Sequence, residues 1–428
     1  VPHGAPFVRF EVDFTQSAKS PTTDFSIVTA CSAETTDQKD AGSGGCEVTV
    51  DPTSWSQIAA ANRGGDPVAI TVRGTTDGAC ASTSEDTIHV SFAQDDLLGS
   101  YFYWRSEPGQ LGGSGQVWAQ TFGDLASSPG KDVAAATGQE TACSGCHSIS
   151  RDGTRMFFNP VGDTDPDYGG LEGSYVDMSA WPGGASVLAG PQAPGWTAIA
   201  PGASSYVTSN GLPCGATSAS TCPGDPTVAY PAAVPVNGLS LWNGQDGGFV
   251  GGVTLGAVGS RPTMPDWSAD GTSLVFVQPA AVASWDGALR NDDDHVFGGS
   301  LFTVPYGGGG AFGTPAEVVA SQGENNYYPS LSPDGPGSLV LFDRAPLDTT
   351  VATLTGCTGT PPMAACPNDS YANPAARLML VANAAGAVPV DLQAANGSSA
   401  AIAAALSNSF PRFAPFLQSY KGKTLLWV

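Results

Sequence analysis

Residues 266–277 read Asp-Trp-Ser-Ala-Asp-Gly-Thr-Ser-Leu-Val-Phe-Val, and this stretch decides the fold. A Ser-x-Asp-Gly turn leads into a short apolar run. Glycine takes the positive φ of a tight turn, while serine and aspartate side chains bond the turn's own backbone. The apolar run then reads as a strand packed between neighbouring sheets. The pattern recurs as SISRDGTRMFF at 148–158 and SLSPDGPGSLVLF at 330–342. Degenerate copies stand at 198–209 (AIAPGASSYVTS) and 412–428 (RFAPFLQSYKGKTLLWV). Aligning the turns puts Ser150, Ala200, Ser268, Ser332 and Ala414 in one column, at intervals of 50 to 82 residues. Such intervals suit a four-stranded sheet with loops of variable length, repeated around an axis. Further strand pairs follow at 174–179, 238–253, 299–306 and 376–390.

The copies 265–271 (PDWSADG) and 329–335 (PSLSPDG) resemble the TolB-like, WD40-like β-propeller repeats, whose blades open with a Pro-x-Trp-Ser-Pro-Asp-Gly type turn. The resemblance covers residues 99–428 and implies a propeller of five motif-bearing blades, six being the alternative count. It implies fold rather than activity, because propellers host unrelated chemistries. The fifth copy holds only inner strands, so Lys423–Val428 is expected to pair with strands from the Tyr101–Phe122 region and close the ring.

Residues 1–98 read differently. The runs Phe7–Phe14, Phe25–Ala30, Cys46–Val50, Val68–Arg73 and Thr87–Phe92, separated by Gly-, Ser- and Asp-rich loops, predict an immunoglobulin-like β-sandwich. One short helix is expected at Ser54–Asn62. The expectation for the whole chain is all-β.

Composition bounds the function. The chain has 428 residues, 13% charged, with 16 basic against 39 acidic and a formal charge of −23. So acidic a chain repels phosphate backbones, which argues against nucleic-acid binding. No apolar run reaches the ~18 residues of a membrane helix. A start at Val1, low Lys and cysteines in short loops predict an exported protein, periplasmic or extracellular, whose leader has been removed. Cys214–Cys222 and Cys357–Cys366 read as local disulfides. Cys31, Cys46 and Cys80 allow one further pair, Cys31–Cys46 being favoured.

The chemistry is carried by Cys143-Ser144-Gly145-Cys146-His147, a C-x-x-C-H motif. Two thiols three positions apart reach the two vinyl groups of one porphyrin, and the adjacent imidazole falls under the iron as proximal ligand. A zinc site would need a second Cys/His pair, and the chain has four His in all. The expected cofactor is one covalent haem c. In the repeat alignment Cys146 shares a column with Trp196, Met264, Tyr328 and Phe410, so these four are expected to wall the haem near the axis. Met264 is the first candidate for distal ligand, ahead of an open site, His295, Met178 and Tyr328. Core packing is the plainer reading of Trp196 and Phe410. The motif within a propeller also resembles the large subunit of hydrazine synthase, which implies that such a haem can be catalytic.

The remaining histidines have ordinary explanations: His3 in a terminal tail, His89 on the polar side of a strand, His295 in the acidic loop 291–295. Asp163, Asp165 and Asp167 alternate as calcium ligands do, although solvated acid runs outnumber such sites. No G-x-S-x-G, H-E-x-x-H or P-loop is present. Three functions are therefore expected in order: a monohaem electron carrier with a redox partner protein or small-molecule donor, a haem enzyme with an open distal face, and a binding or self-assembling module with auxiliary haem.

Overall fold

The structure is a computed structural model. It describes residues 8–16, 25–30, 32–33, 46–47, 50–76, 83–94, 99–106, 115–122, 130–137, 143–161, 173–192, 196–209, 238–255, 262–280, 296, 298–347, 373, 375–396, 410–420 and 422–428. They divide into two compact units, residues 1–98 with 122–128, and residues 99–121 with 129–428.

The first unit contains β1 (Arg9–Gln16), β2 (Phe25–Ala30), β3 (Ser32–Ala33), β4 (Cys46–Glu47), α1 (Pro52–Ala61), β5 (Val68–Thr75) and β6 (Thr83–Val90). Four of the strands form one antiparallel sheet in the order β2-β1-β5-β6. Alternation puts Val12, Phe14, Val68 and Ile70 on a buried face with Phe25 and Ile27. On the other face Arg73 pairs with Glu11, Asp13 and Glu85. Helix α1 starts where the Asp51 carboxylate accepts the Ser54 N–H at 2.9 Å, with Pro52 at its first turn. Its Trp55 meets Phe14 and Phe92 at ring distances of 6.3 and 5.4 Å, and Ile58 joins the same cluster. A sandwich was expected here. Among the described residues the apolar face is covered by α1, and the only other sheet of this unit is the two-residue pair β3–β4. The helix runs Pro52–Ala61 rather than Ser54–Asn62, because proline is favoured in a first turn.

The second unit opens with β7 (Ser100–Ser106), β8 (Gly115–Thr121) and β9 (Lys131–Asp132), a three-stranded sheet followed by α2 (Val133–Ala136). Four four-stranded antiparallel meanders follow in chain order. They are β10 (Cys143–Ile149), β11 (Arg155–Val161), β12 (Gly173–Asp177) and β13 (Ser186–Gln192); β14 (Thr197–Ile199), β15 (Ser205–Thr208), β16 (Gly238–Asn243) and β17 (Phe249–Thr254); β18 (Thr263–Trp267), β19 (Ser273–Gln278), β20 (Ser300–Pro305) and β21 (Ala316–Val319); and β22 (Glu324–Leu331), β23 (Leu339–Pro346), β24 (Arg377–Ala382) and β25 (Val390–Asp391). A hairpin of β26 (Gln418–Tyr420) and β27 (Lys423–Leu425) ends the chain. The first strands β10, β14, β18 and β22 lie successively side by side, and β8 lies against β10. The unit is all-β in its sheets and propeller-like.

The repeat turns explain why these sheets form. Ser268 Oγ donates to Asp270 Oδ1 at 2.8 Å and accepts the Ser273 N–H at 3.0 Å; the same carboxylate accepts Thr272 N–H and Oγ1–H at 2.9 and 2.7 Å. Ser150 with Asp152, and Ser332 with Asp334, repeat this set. One backbone bond recurs in all five columns: Ser150 to Arg155, Ala200 to Ser205, Ser268 to Ser273, Ser332 to Leu339 and Ala414 to Trp427, each N–H to O at 2.9–3.0 Å. The fifth copy is therefore a repeat start, although its turn lacks the serine and aspartate.

Neighbouring sheets bury their apolar faces against each other. Val117 and Val133 pack on Met156, Phe158, Val176 and Met178. Phe157 and Tyr175 meet Tyr206 and Trp242. Leu239 and Leu241 meet Trp267, Leu274 and Phe276. Val275, Val277 and Leu301 meet Tyr327, Val340 and Phe342. Met178, a candidate iron ligand, is thus ordinary core. The expected closure is corrected as well: Lys423–Leu425 pairs with Gln418–Tyr420, whereas Tyr101–Arg105 pairs with Gln116–Gln120 in a separate sheet. A four-residue reversal lets the terminal strand fold back on its own neighbour before reaching another.

Two stability outcomes follow from this packing. Asp270→Ala should cost about 1–2 kcal/mol, since it orphans a serine hydroxyl and a turn N–H. Burial acts to raise the Asp270 pKa, yet the bonds from Thr272 and Ser268 outweigh it and hold the carboxyl below its ordinary value. A lowered folded-state pKa stabilises fully above the unfolded value near 4 and is lost as pH falls through the folded one. The gap between wild type and Asp270→Ala should accordingly narrow below about pH 4 in urea titrations. Gly244 is the second case: a Cβ there would sit 2.1 Å from Ala203 O, and its carbonyl accepts the Tyr175 hydroxyl at 2.8 Å. Gly244→Ala should lose about 1–3 kcal/mol by overpacking; an unchanged unfolding midpoint would contradict that contact.

Candidate functional site

Three of the first strands, β10, β18 and β22, are interrupted at the same place, whereas β14 runs in unbroken register. The ladder slips between Gly145 and Ser148, between Thr263 and Asp266, and between Tyr327 and Ser330, so that one extra residue is accommodated. The residue at the slip takes a left-handed backbone in Met264 (φ 50), Tyr328 (φ 51) and the equivalent Phe410 (φ 55). For non-glycine residues this conformation costs of order 1 kcal/mol each, and it persists where the surrounding structure over-determines it. The bulge lifts Met264 and Tyr328 out of the alternation, while Trp196 precedes β14 without one.

The side chains meet. The Tyr328 and Phe410 rings stack at 3.8 Å, and Trp196 lies 5.2 and 5.4 Å from them. Met264 Sδ accepts the Tyr328 backbone N–H at 3.3 Å. Met264 and Tyr328 are 3% and 4% exposed, whereas Phe410 is 36% exposed, so the cluster is open on the Phe410 side. The structure thus brings together Trp196, Met264, Tyr328 and Phe410, the four residues aligned with Cys146. The C-x-x-C-H motif forms β10, with the slip at Cys146 and His147.

His147 is half-buried. Burial, reinforced by the positive charge of Arg412, pushes its imidazole down to about 4, so it is neutral at physiological pH. A neutral ring keeps the lone pair that a metal needs.

Two residues along each strand lies a polar layer. Asp266 Oδ2 accepts the Leu331 N–H at 2.7 Å and faces Arg151 Nη2 at 3.5 Å, while Oδ1 faces Arg412 Nη1 at 3.4 Å. Arg151 Nη2 also donates to the carbonyls of Trp267 and Leu331, both at 2.9 Å. An arginine of the first repeat thereby ties the third to the fourth across the axis. On β23 stands Asp343, fully buried. Neither of its oxygens has a full hydrogen bond among the described residues. Burial pushes its carboxyl up to about 8, opposed only by the backbone N–H of Phe410. Sequence reading missed Asp266, Arg412, Arg151 and Asp343. The same alignment carried a signal for two of them, since two rows beyond Cys146 it opposes Asp266 and Arg412 among Ser148, Ala198 and Ser330.

Other candidates are not brought in. Asp163, Asp165, Asp167 and His295 lie outside the described residues, as do His3, Cys31, Cys80, Cys214, Cys222, Cys357 and Cys366. His89 is exposed on β6. Among the described residues no group of three or more His, Cys, Asp or Glu side chains could hold a metal ion. No helix of them is long and apolar enough to cross a membrane.

No protein-family model matches the chain, and no curated protein does. Solved structures are similar to it at low scores. A structure described as TolB from Agrobacterium tumefaciens is 14% identical with a TM-score of 0.38, covering 72% of this chain and 85% of that one. A periplasmic gluconolactonase from Pseudomonas aeruginosa is 16% identical with a TM-score of 0.34, covering 76% and 91%. A 6-phosphogluconolactonase-like structure from Bacteroides uniformis is 10% identical with a TM-score of 0.32, covering 81% and 94%. At these scores the propeller-like description rests on this chain's own sheets.

Proposed function

We propose that this chain is an exported monohaem c-type cytochrome that carries electrons, its propeller-like unit serving as scaffold and docking surface. The observation that carries the reading is the placement of Cys143-Ser144-Gly145-Cys146-His147 on the first strand of the first repeat, at the slip whose counterparts converge in an aromatic and thioether cluster. The donor set suits haem c: two thiols to bond it, a neutral imidazole in His147 to bind iron, and Met264 as distal candidate. When bound, the haem supplies a one-electron couple. Trp196, Tyr328 and Phe410 wall the site with apolar surface and exclude water. Arg412 supplies positive charge close to His147. Arg151 bridges the third and fourth repeats, and Phe410 is the exposed member of the cluster. The partner in this reading is a redox protein or small-molecule donor. Calcium at Asp163, Asp165 and Asp167 is a separate proposal, tested by metal analysis.

A second reading has its own observation. Met264 is buried with its sulfur on the Tyr328 N–H, an arrangement that leaves the distal face without this ligand and favours a haem enzyme. Spectra of oxidised and reduced protein with added CO separate the two. A low-spin, CO-indifferent haem supports the electron carrier, and prompt CO binding supports the enzyme.

The test of attachment is direct. Produced where c-type haem is installed, the wild-type chain should keep its haem through denaturation, and Cys143→Ala with Cys146→Ala should lose it. A wild-type chain without bonded haem ends this reading. With Met264 as ligand, Met264→Ala should lower the potential and open the iron to CO; no change on either count removes Met264 from the iron.

A further inference from the structure

We propose that Asp343 is the proton-binding partner of this redox site, so that one electron added to the site is matched by one proton taken from solvent onto the Asp343 carboxylate. The proposal rests on the haem reading above and deepens it. Three observations on the page carry it. Asp343 is 0% exposed and neither oxygen has a full hydrogen bond among the described residues, which is an unfavourable place for a carboxylate without a function. Its position is tied to the cluster: it stands opposite Tyr327 in the β22–β23 ladder, one residue before the slip at Tyr328, as Asn159 stands opposite Gly145 beside Cys146. And the one group described as favouring its charge is the backbone N–H of Phe410, whose ring stacks on Tyr328.

The charged groups around it are engaged elsewhere. On its own strand Arg344 donates Nε to Asn326. On β24, Leu378 stands opposite in register, and Arg377 is paired with Asp391. From β22, Tyr327 stands opposite in register. From the segment at 410–413 comes Arg412, facing Asp266. Burial and the Phe410 N–H act on Asp343 with no charged side chain among the described residues opposing them, so a charge added beside it is felt directly. An added electron makes the site more negative, which favours the protonated carboxyl. By reciprocity, protonation favours the reduced site. The balance is one electron from a one-electron donor, dithionite in the test, and one proton from water; the carboxylate becomes a carboxylic acid and no other bond changes.

The sign follows. Between the lower proton affinity of Asp343 in the oxidised protein and the higher one in the reduced protein, reduction takes up a proton, so the potential falls as pH rises. Burial, opposed by the Phe410 N–H, lifts the group to about 8, and the potential is flat on either side of the window. The limiting slope is a tenfold change in the redox equilibrium per pH unit, 59 mV for a one-electron couple.

The test is redox titration of the full-length holoprotein from pH 5 to 10 with dithionite, in wild type and Asp343→Asn. Wild type should show the sloping window and the variant should not. A second measurement needs no variant: reduced-minus-oxidised infrared spectra of wild type should gain a carboxylic-acid C=O band that shifts in deuterium oxide. A third needs no haem. Asp343→Asn mimics the neutral acid, so its unfolding midpoint should exceed that of wild type by a margin widening from pH 4 to 8. A haem-bearing protein with a pH-independent potential and no such band overturns this inference and leaves the proposed function standing. A chain without covalent haem overturns both.

Discussion

A serine hydroxyl held between an aspartate two residues on and a backbone N–H beyond the turn is the constraint on which the repeats depend. In the repeats of Ser150, Ser268 and Ser332 it orients the turn and lets the second strand register against the first. With that register set, the interruptions in β10, β18 and β22 fall at one level. Because the interruptions share a level, residues from repeats far apart in sequence meet. Met264 and Tyr328 stand four residues before such a serine, whereas Trp196 and Phe410 stand four before Ala200 and Ala414.

The degenerate copies show how much of this is turn and how much is ladder. Ala200 and Ala414 cannot donate a side-chain bond, yet their backbone N–H groups make the same turn-closing bond as the serines. The side-chain network is an aid to a geometry that the backbone and the apolar packing already favour. Near the axis the balance differs. There Asp266, Arg151 and Arg412 satisfy carbonyls and an N–H that no ladder reaches, and charge pairing among partly buried groups fixes the spacing of the repeats.

The repeat column and the convergence of its members were legible in the sequence, because identical turns recur and alternation is a one-dimensional signal. Strand ends were legible to within two or three residues wherever Gly or Asp-Gly punctuates the chain. The packing of α1 on its sheet was not, since Trp55 and Ile58 carry too few apolar residues to reveal which face they cover. Arg151 was not legible either, because its partners are carbonyls, and carbonyls are the same at every residue. Asp343 was visible only as an acid within the run Leu339–Ala345, a pattern equally consistent with an exposed edge strand. The expected pairing of the chain end with the Tyr101–Phe122 region failed because the local hairpin at 418–425 competes with a partner hundreds of residues away.

The bridge made by Arg151 has a temporal meaning. Its acceptors lie 115, 116 and 180 positions further along the chain. Contacts so distant form late, after the loops between them have closed. While the chain is being made, β10 and Arg151 exist before the repeats that supply the acceptors of Arg151. The bridge that ties the third repeat to the fourth is therefore complete only once the residues near 331 have been made and folded.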